Sequence, residues 1–185
     1  MAALNPPVCD FGRSVPDFEL PDTSGQLRNL ESCRGSNGLL VIFMCNHCPY
    51  VKAVIERIIR DTRELANHGI GSVAIMSNDV AAYPEDSPNN MAQWAFELGF
   101  PFPYLYDESQ SVARAFGAVC TPDYFGYDKQ MQLQYRGRLD ASGRHPAPAD
   151  AERELFTAML GIAQGVGGPR QQFASLGCSI KWKSA

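Results

Sequence analysis

No stretch of this chain is apolar for long enough to cross a bilayer. The longest, 39–44, runs for about six residues, and a spanning helix needs ~20. A basic stripe is missing too: 16 Lys and Arg stand against 20 Asp and Glu, for a formal net charge of −4. Nucleic-acid binding rests on clustered positive charge, so nucleic acid is not an expected partner. Residues 1–7 lack the basic and then apolar segments of a secretory signal. The expected location is therefore the cytoplasm, with no membrane partner. The sequence holds no internal repeat, no low-complexity tract and no second Cys-x-x-Cys. Its cysteines, at 9, 33, 45, 48, 120 and 178, are scattered, unlike those of a secreted scaffold stapled by disulfides.

What is there suits one domain with a sizeable core: 185 residues, 45% hydrophobic and 19% charged. The expected extent is 1–185, with a core over about 12–165 and a C-terminal tail over 166–185.

The strongest local signal is Leu39-Leu40-Val41-Ile42-Phe43-Met44, which runs straight into Cys45-Asn46-His47-Cys48-Pro49. An uninterrupted apolar run reads as a strand buried on both faces. Behind it, Val51, Val54, Ile55, Ile58, Ile59, Leu65 and Ala66 fall on one stripe of a helix. Pro49 lies in its first turn, where a missing N–H is not needed, and Gly69 ends it. Residues 70–76 read as a second buried strand. Upstream, 15–20 and 26–30 flank a turn cluster and form a short hairpin. Downstream, 77–90 reads as a long loop, followed by a helix from Met91 to Gly99 with Trp94 and Phe96 in the core. A short strand at 103–106, a short helix at 109–116, a strand pair at 124–127 and 132–138, and a helix at 149–163 complete the pattern. Residues 171–185 show no period. Two β-α-β crossovers, then a hairpin and a helix, define an α/β fold: a mixed central sheet with helices on both faces.

Cys45 and Cys48 carry the chemistry. Two thiols one helical turn apart at a strand-to-helix junction are placed for thiol–disulfide exchange, because a helix N-terminus lowers a thiol pKa. Cys45 is expected to attack as thiolate and Cys48 to close a disulfide with it. Two buried small side chains are the alternative, which explains neither the spacing nor the exposed turn. His47 is either a turn residue without a role or a group that stabilises a neighbouring thiolate and makes the pair more oxidising. Thr121-Pro122 faces the redox turn in this order of elements. A cis proline there would leave the Thr121 backbone free to pair with a substrate chain.

Further features bear on the site. Cys120 is a buried structural thiol or a thiol approaching the turn. Cys178, near Lys181 and Lys183, is a packed tail residue or a mobile thiol that resolves a disulfide or sulfenate at Cys45. Arg136, Arg138 and Asp140 form a solvated loop rather than a charged rim. The segment 83–88 belongs to a loop long enough to cover a site. As soft ligands, Cys45, Cys48 and His47 or Cys178 also admit a Zn²⁺ or Cu(I) reading, but a histidine between the thiols joins both poorly around one ion. The expected site holds no metal and no cofactor.

On these motifs the chain resembles the thioredoxin superfamily. Within it, the chain resembles the peroxiredoxin-like redoxins of the alkyl hydroperoxide reductase/thiol-specific antioxidant (AhpC/TSA) group. Val15-Pro16-Asp17-Phe18-Glu19-Leu20-Pro21-Asp22 with Gly25 looks like that group's opening hairpin, and Gly117 to Pro122 with Tyr124-Phe125 and Asp128 like its Thr-Pro stretch. Cys-Asn-His-Cys-Pro-Tyr-Val-Lys at 45–52, Cys-Thr-Pro-Asp at 120–123 and Gly-Cys-Ser-Ile-Lys-Trp-Lys at 177–183 are similar to one thioredoxin-like subfamily. The resemblance spans about 12–183. It implies a thioredoxin fold with an N-terminal β-hairpin extension, a redox pair at Cys45 and Cys48, and a cis bond at Pro122. Two positions depart from the pattern. Cys45 replaces the threonine of the peroxidatic Thr-x-x-Cys, which favours disulfide exchange over peroxide reduction. Leu39 stands where thioredoxin has a buried carboxylate.

The expected function is thiol–disulfide oxidoreduction by mixed-disulfide exchange on a protein or small-molecule disulfide or thiol, with a thioredoxin-type reductant as candidate partner. The alternative is a thiol-dependent peroxidase with antioxidant activity.

Overall fold

The computed structural model describes residues 3–184. Met1, Ala2 and Ala185, the outer ends of the expected domain and of the N-terminus read as signal-free, lie outside the described residues. The chain begins with β1 (Ala3–Leu4), the hairpin β2 (Glu19–Pro21) and β3 (Leu27–Asn29), and α1 (Leu30–Cys33). Then come β4 (Gly38–Phe43), α2 (Pro49–Ala66), β5 (Ile70–Met76), α3 (Pro88–Leu98), β6 (Tyr104–Tyr106) and α4 (Ser111–Phe116). β7 (Cys120–Thr121), β8 (Asp123–Asp128), β9 (Leu133–Tyr135), α5 (Glu154–Ala163) and β10 (Gly177–Ser179) complete it.

The central sheet has the order β6-β5-β4-β8-β9. β4 pairs in parallel with β5 and antiparallel with β8, so the sheet is mixed, as in the thioredoxin fold. Side chains alternate along β4. Leu40 and Ile42 enter one core, while Leu39, Val41 and Phe43 enter the other. Both faces are covered, which is why the strand reads as unbroken apolar sequence. The α2 stripe packs on the first face with Leu155, Met159 and Ile162 of α5. Val112 and Phe116 of α4, with Phe18 and Leu20 of the hairpin, close the second. Each buried aliphatic side chain of α2 contributes about 1.5–3 kcal/mol, and together they fix where the helix N-terminus points.

Several expectations change. Helix α5 starts at Glu154 rather than 149; the chain before it makes a turn in which the Ala151 N–H donates to the Pro148 carbonyl oxygen at 3.0 Å. The 77–90 loop is broken by a 3₁₀ turn at Pro84–Asp86, and α3 starts at Pro88, a residue suited to a first helical turn. Phe96 is 88% exposed rather than core, since it falls on the outer face of α3, whereas Trp94 packs partly against the core. Arg136 and Asp140 are buried, not solvated. Arg136 pairs with Asp123 at 2.9 Å and Asp140 with Arg57 at 2.7 Å, partners distant in sequence that compensate the burial. The C-terminal segment also carries structure. Its strand β10 is the middle of a second sheet, in the order β1-β10-β7.

Candidate active site

Strand β4 ends at Phe43 and α2 begins at Pro49, so the segment 45–48 is held between two buried elements. Cys48 is the N-cap residue of α2, and Cys45 precedes the helix. The pair is not on an exposed turn: Cys45 is 1% exposed and Cys48 0%. Both face Thr121. Cys45 Sγ lies 3.5 Å from Thr121 Oγ1, and the Cys48 thiol donates to the Thr121 carbonyl oxygen at 3.1 Å. The Thr121–Pro122 peptide is cis.

A third sulfur joins them. Cys178 of β10 sits opposite Thr121 in the antiparallel ladder and is buried in the same core as Cys45 and Cys48. Cys45 acts most strongly to hold the Cys48 thiol well below the usual range against its own burial, with help from the Thr121 side chain, Cys178 and the Val51 backbone N–H, while the Thr121 carbonyl oxygen favours the protonated form. The Val51 contribution comes without a formed cap hydrogen bond. Cys45 moves the other way, raised by its hydrogen bond to Cys48, by burial and by the charge of Asp86. Burial, then the Cys48 hydrogen bond, pushes Cys178 up to about 11. Within the pair the lowering falls on Cys48, the α2 N-cap residue, rather than on Cys45.

His47 is held rather than loose. Its Nδ1 lies 2.6 Å from Asp86 Oδ2, and its ring stacks on Tyr83 with centroids 5.3 Å apart. Asp86 is fully buried and also accepts from the backbone N–H groups of Asn46 (2.8 Å) and His47 (3.2 Å) and from Asn78 Nδ2 (2.8 Å). Asp86 and Tyr83 come from the 83–88 segment, which packs over the redox turn as its length implied. Asp86 itself was not singled out in the sequence; a lone aspartate in a polar loop carries no period or spacing. His47 Nε2 is buried without a hydrogen-bond partner. With Nδ1 engaged by the carboxylate, Nε2 is the ring nitrogen left to exchange a proton.

Cys45, His47 and Asp86 place their ligand atoms within 4.8 Å of one another, a set a metal could use. The 2.6 Å His47–Asp86 contact is nonetheless a hydrogen bond; two ligands on one tetrahedral zinc stand about 3.3 Å apart. Cys120 is fully buried and donates to the Pro122 carbonyl oxygen at 3.6 Å. Leu39 packs in the opposite core. Thr121, expected to offer a free backbone, is already paired with Cys178, because β10 occupies that edge. A cleft of about 440 Å³ opens beside Pro122, with Tyr50, Tyr124 and Leu176 in its walls.

The AhpC/TSA family model matches residues 11–136, and the chain belongs to that family. Membership supports a thiol-based redox function. An uncharacterized conserved protein from Geobacillus kaustophilus is similar along the whole chain: 40% identity, TM-score 0.95, covering 100% of this chain and 98% of that one. A hypothetical protein from Sinorhizobium meliloti 1021 shares 36% identity with a TM-score of 0.89, over 98% of this chain and 99% of that one. Peroxidoxin BcpB from Mycobacterium tuberculosis shares the fold at 19% identity, with a TM-score of 0.62 over 86% of this chain and 99% of that one. A search of curated proteins returns no match.

Proposed function

We propose that the protein is a thiol–disulfide oxidoreductase whose attacking sulfur is Cys48 and whose resolving sulfur is Cys45. The observation that carries this reading is the placement of Cys48 at the α2 N-cap, in contact with Thr121 beside the cis Pro122. The Cys48 thiolate attacks one sulfur of a substrate disulfide, the substrate S–S bond breaks, and the leaving thiolate takes up a proton. Cys45 then loses its proton to His47 Nε2, which Asp86 orients, and attacks Cys48. The Cys45–Cys48 bond forms, the second substrate thiol leaves, and two electrons have passed to the substrate. A thioredoxin-type reductant restores the dithiol. His47 and Asp86 thereby fill the proton-acceptor role for which Leu39 is unsuited. The cleft beside Pro122 takes the remainder of the substrate.

The reading treats 1–185 as one working unit in the reducing cytoplasm, and groups the chain with redoxins that carry Cys-Asn-His-Cys. Its test is the trapping of a mixed disulfide. In a Cys178→Ser background, which removes the third thiol, Cys45→Ser should accumulate Cys48 bound to a small disulfide probe, whereas Cys48→Ser should trap nothing. A mixed disulfide formed on Cys45 in Cys48→Ser would reverse the roles, and none on either would sink the proposal.

Peroxide reduction is the second reading, favoured by the burial of the sulfurs, which admits a small oxidant more readily than a protein. Cys48 would attack the peroxide, giving a sulfenic acid and an alcohol or water, and Cys45 would condense with it, releasing water. Peroxide consumption coupled to a thioredoxin-type reductant separates the two.

A further inference from the structure

A polypeptide that adds to a sheet edge needs a row of unpaired backbone groups. On the side of β7 nearest the sulfurs that row is taken: Cys178 stands opposite Thr121 and Ser179 opposite Cys120. The approach is close. A Cβ on Gly177 would lie 2.2 Å from the Thr121 carbonyl oxygen, so a glycine is required there. The strand carries its own thiol inward, since Cys178 is 3% exposed and is buried in the same core as Cys48, whose thiol donates to Thr121, the residue opposite Cys178. It is fastened further along as well. The Lys181 N–H donates to Asn78 Oδ1 at 2.8 Å, and Asn78 Nδ2 donates to Asp86, the carboxylate that holds His47. A strand antiparallel to β7, with a cysteine opposite Thr121 and beside the attacking sulfur, has the layout of a docked disulfide substrate.

We propose that β10 is an internal substrate: it fills the docking edge of β7, and Cys178 is a third redox thiol that exchanges disulfides with Cys48. This rests on the thiol-exchange reading above. The step involves no net oxidation. Starting from the Cys45–Cys48 disulfide, the Cys178 sulfur attacks Cys48 Sγ. The Cys45–Cys48 bond breaks as the Cys48–Cys178 bond forms, and the Cys178 proton ends on the departing Cys45 sulfur. External substrates are then small disulfides or thiols, which need no strand edge. Extended protein chains are kept out while β10 is docked.

Two measurements test this. In the first, reduced protein is treated with oxidised glutathione and its disulfides are mapped without reduction. Cys45→Ser should yield a Cys48–Cys178 disulfide, and the double variant Cys45→Ser/Cys178→Ser should retain glutathione on Cys48. If Cys45→Ser keeps glutathione on Cys48 while Cys178 stays reduced, the internal substrate is overturned and thiol exchange survives. If Cys48 is unmodified in every variant, both fall. The second compares turnover of insulin disulfides with turnover of oxidised glutathione. Gly177→Ala, which leaves all three thiols in place, should raise that ratio by about tenfold, as expected for an edge open about a tenth of the time. Lys181→Pro removes the N–H given to Asn78 and should act in the same direction if Gly177→Ala folds poorly. A ratio unchanged in the folded variant overturns the proposal.

Discussion

Cys48 and Cys120 are both 0% exposed, and both pack against the Thr121–Pro122 segment. Their thiols are nevertheless driven in opposite directions. At Cys120, burial acts first and the nearby Asp123 carboxylate adds to it, so the proton is held very tightly. At Cys48, burial acts too, but the Cys45 hydrogen bond outweighs it, and Thr121, Cys178 and Val51 N–H add to the effect. Depth therefore does not decide whether a thiol is reactive. The sign of its neighbours does: donors at the helix N-cap, an anion beside β7.

The widest gap expected between the two sites is kinetic. Cys48→Ser should lower the rate of disulfide exchange by at least about a thousandfold, because the attacking sulfur is gone. Cys120→Ser should stay within about twofold of wild type. Steady-state turnover of a small disulfide measures both. An equal loss in the two variants would falsify the contrast.

The Cys120 side is expected to answer in stability instead. Arg136→Met leaves Asp123 buried without its partner and should cost about 3–5 kcal/mol in urea unfolding. Disulfide exchange by the folded fraction should be unchanged. A smaller change is expected from Asp86→Asn. The Asp86 carboxylate holds His47 Nδ1, so without it the imidazole is no longer oriented. Resolution of a mixed disulfide on Cys48 should slow by about tenfold in single-turnover kinetics. An unchanged rate would mean that the carboxylate only supports the turn.

The smallest effect concerns Cys178, whose pKa rises from 9.0 to about 11 on folding. A raised thiol contributes stability that is complete below the unfolded value and is lost as pH climbs toward the folded one. The reduced protein should therefore lose stability between pH 9 and 11, and Cys178→Ser should lose less. Denaturant melts at several pH values measure the difference.

The elements nearest the site were legible because their signals are local. β4, α2 and β5 each carry their own period, and the Cys-x-x-Cys falls between the first two. β10 was not legible. It has three residues, starts with glycine, and is a strand only because β1 and β7 flank it. α1 was missed for a related reason, since four residues hold no period and its start is marked only by the Asn29–Ser32 capping box. The roles of Asp86, Asn78 and Arg136 depend on partners that only folding supplies. The burial of the thiol pair has the same origin: the loop bearing Asp86 and the strand bearing Cys178 cover a turn that by itself would be open.

Asn78 has a consequence of its own. Its amide oxygen accepts from the Lys181 backbone N–H, and its amide nitrogen donates to Asp86. It is 2% exposed, so water cannot readily take over if the C-terminal strand leaves. Departure then strands a buried acceptor, at a cost of about 1–3 kcal/mol. That makes the amide one of the latches on this strand, beside Gln110, which donates to the Lys181 carbonyl oxygen and accepts from the Lys183 N–H, and the one that ties the cover over the sulfurs to the carboxylate that orients the histidine.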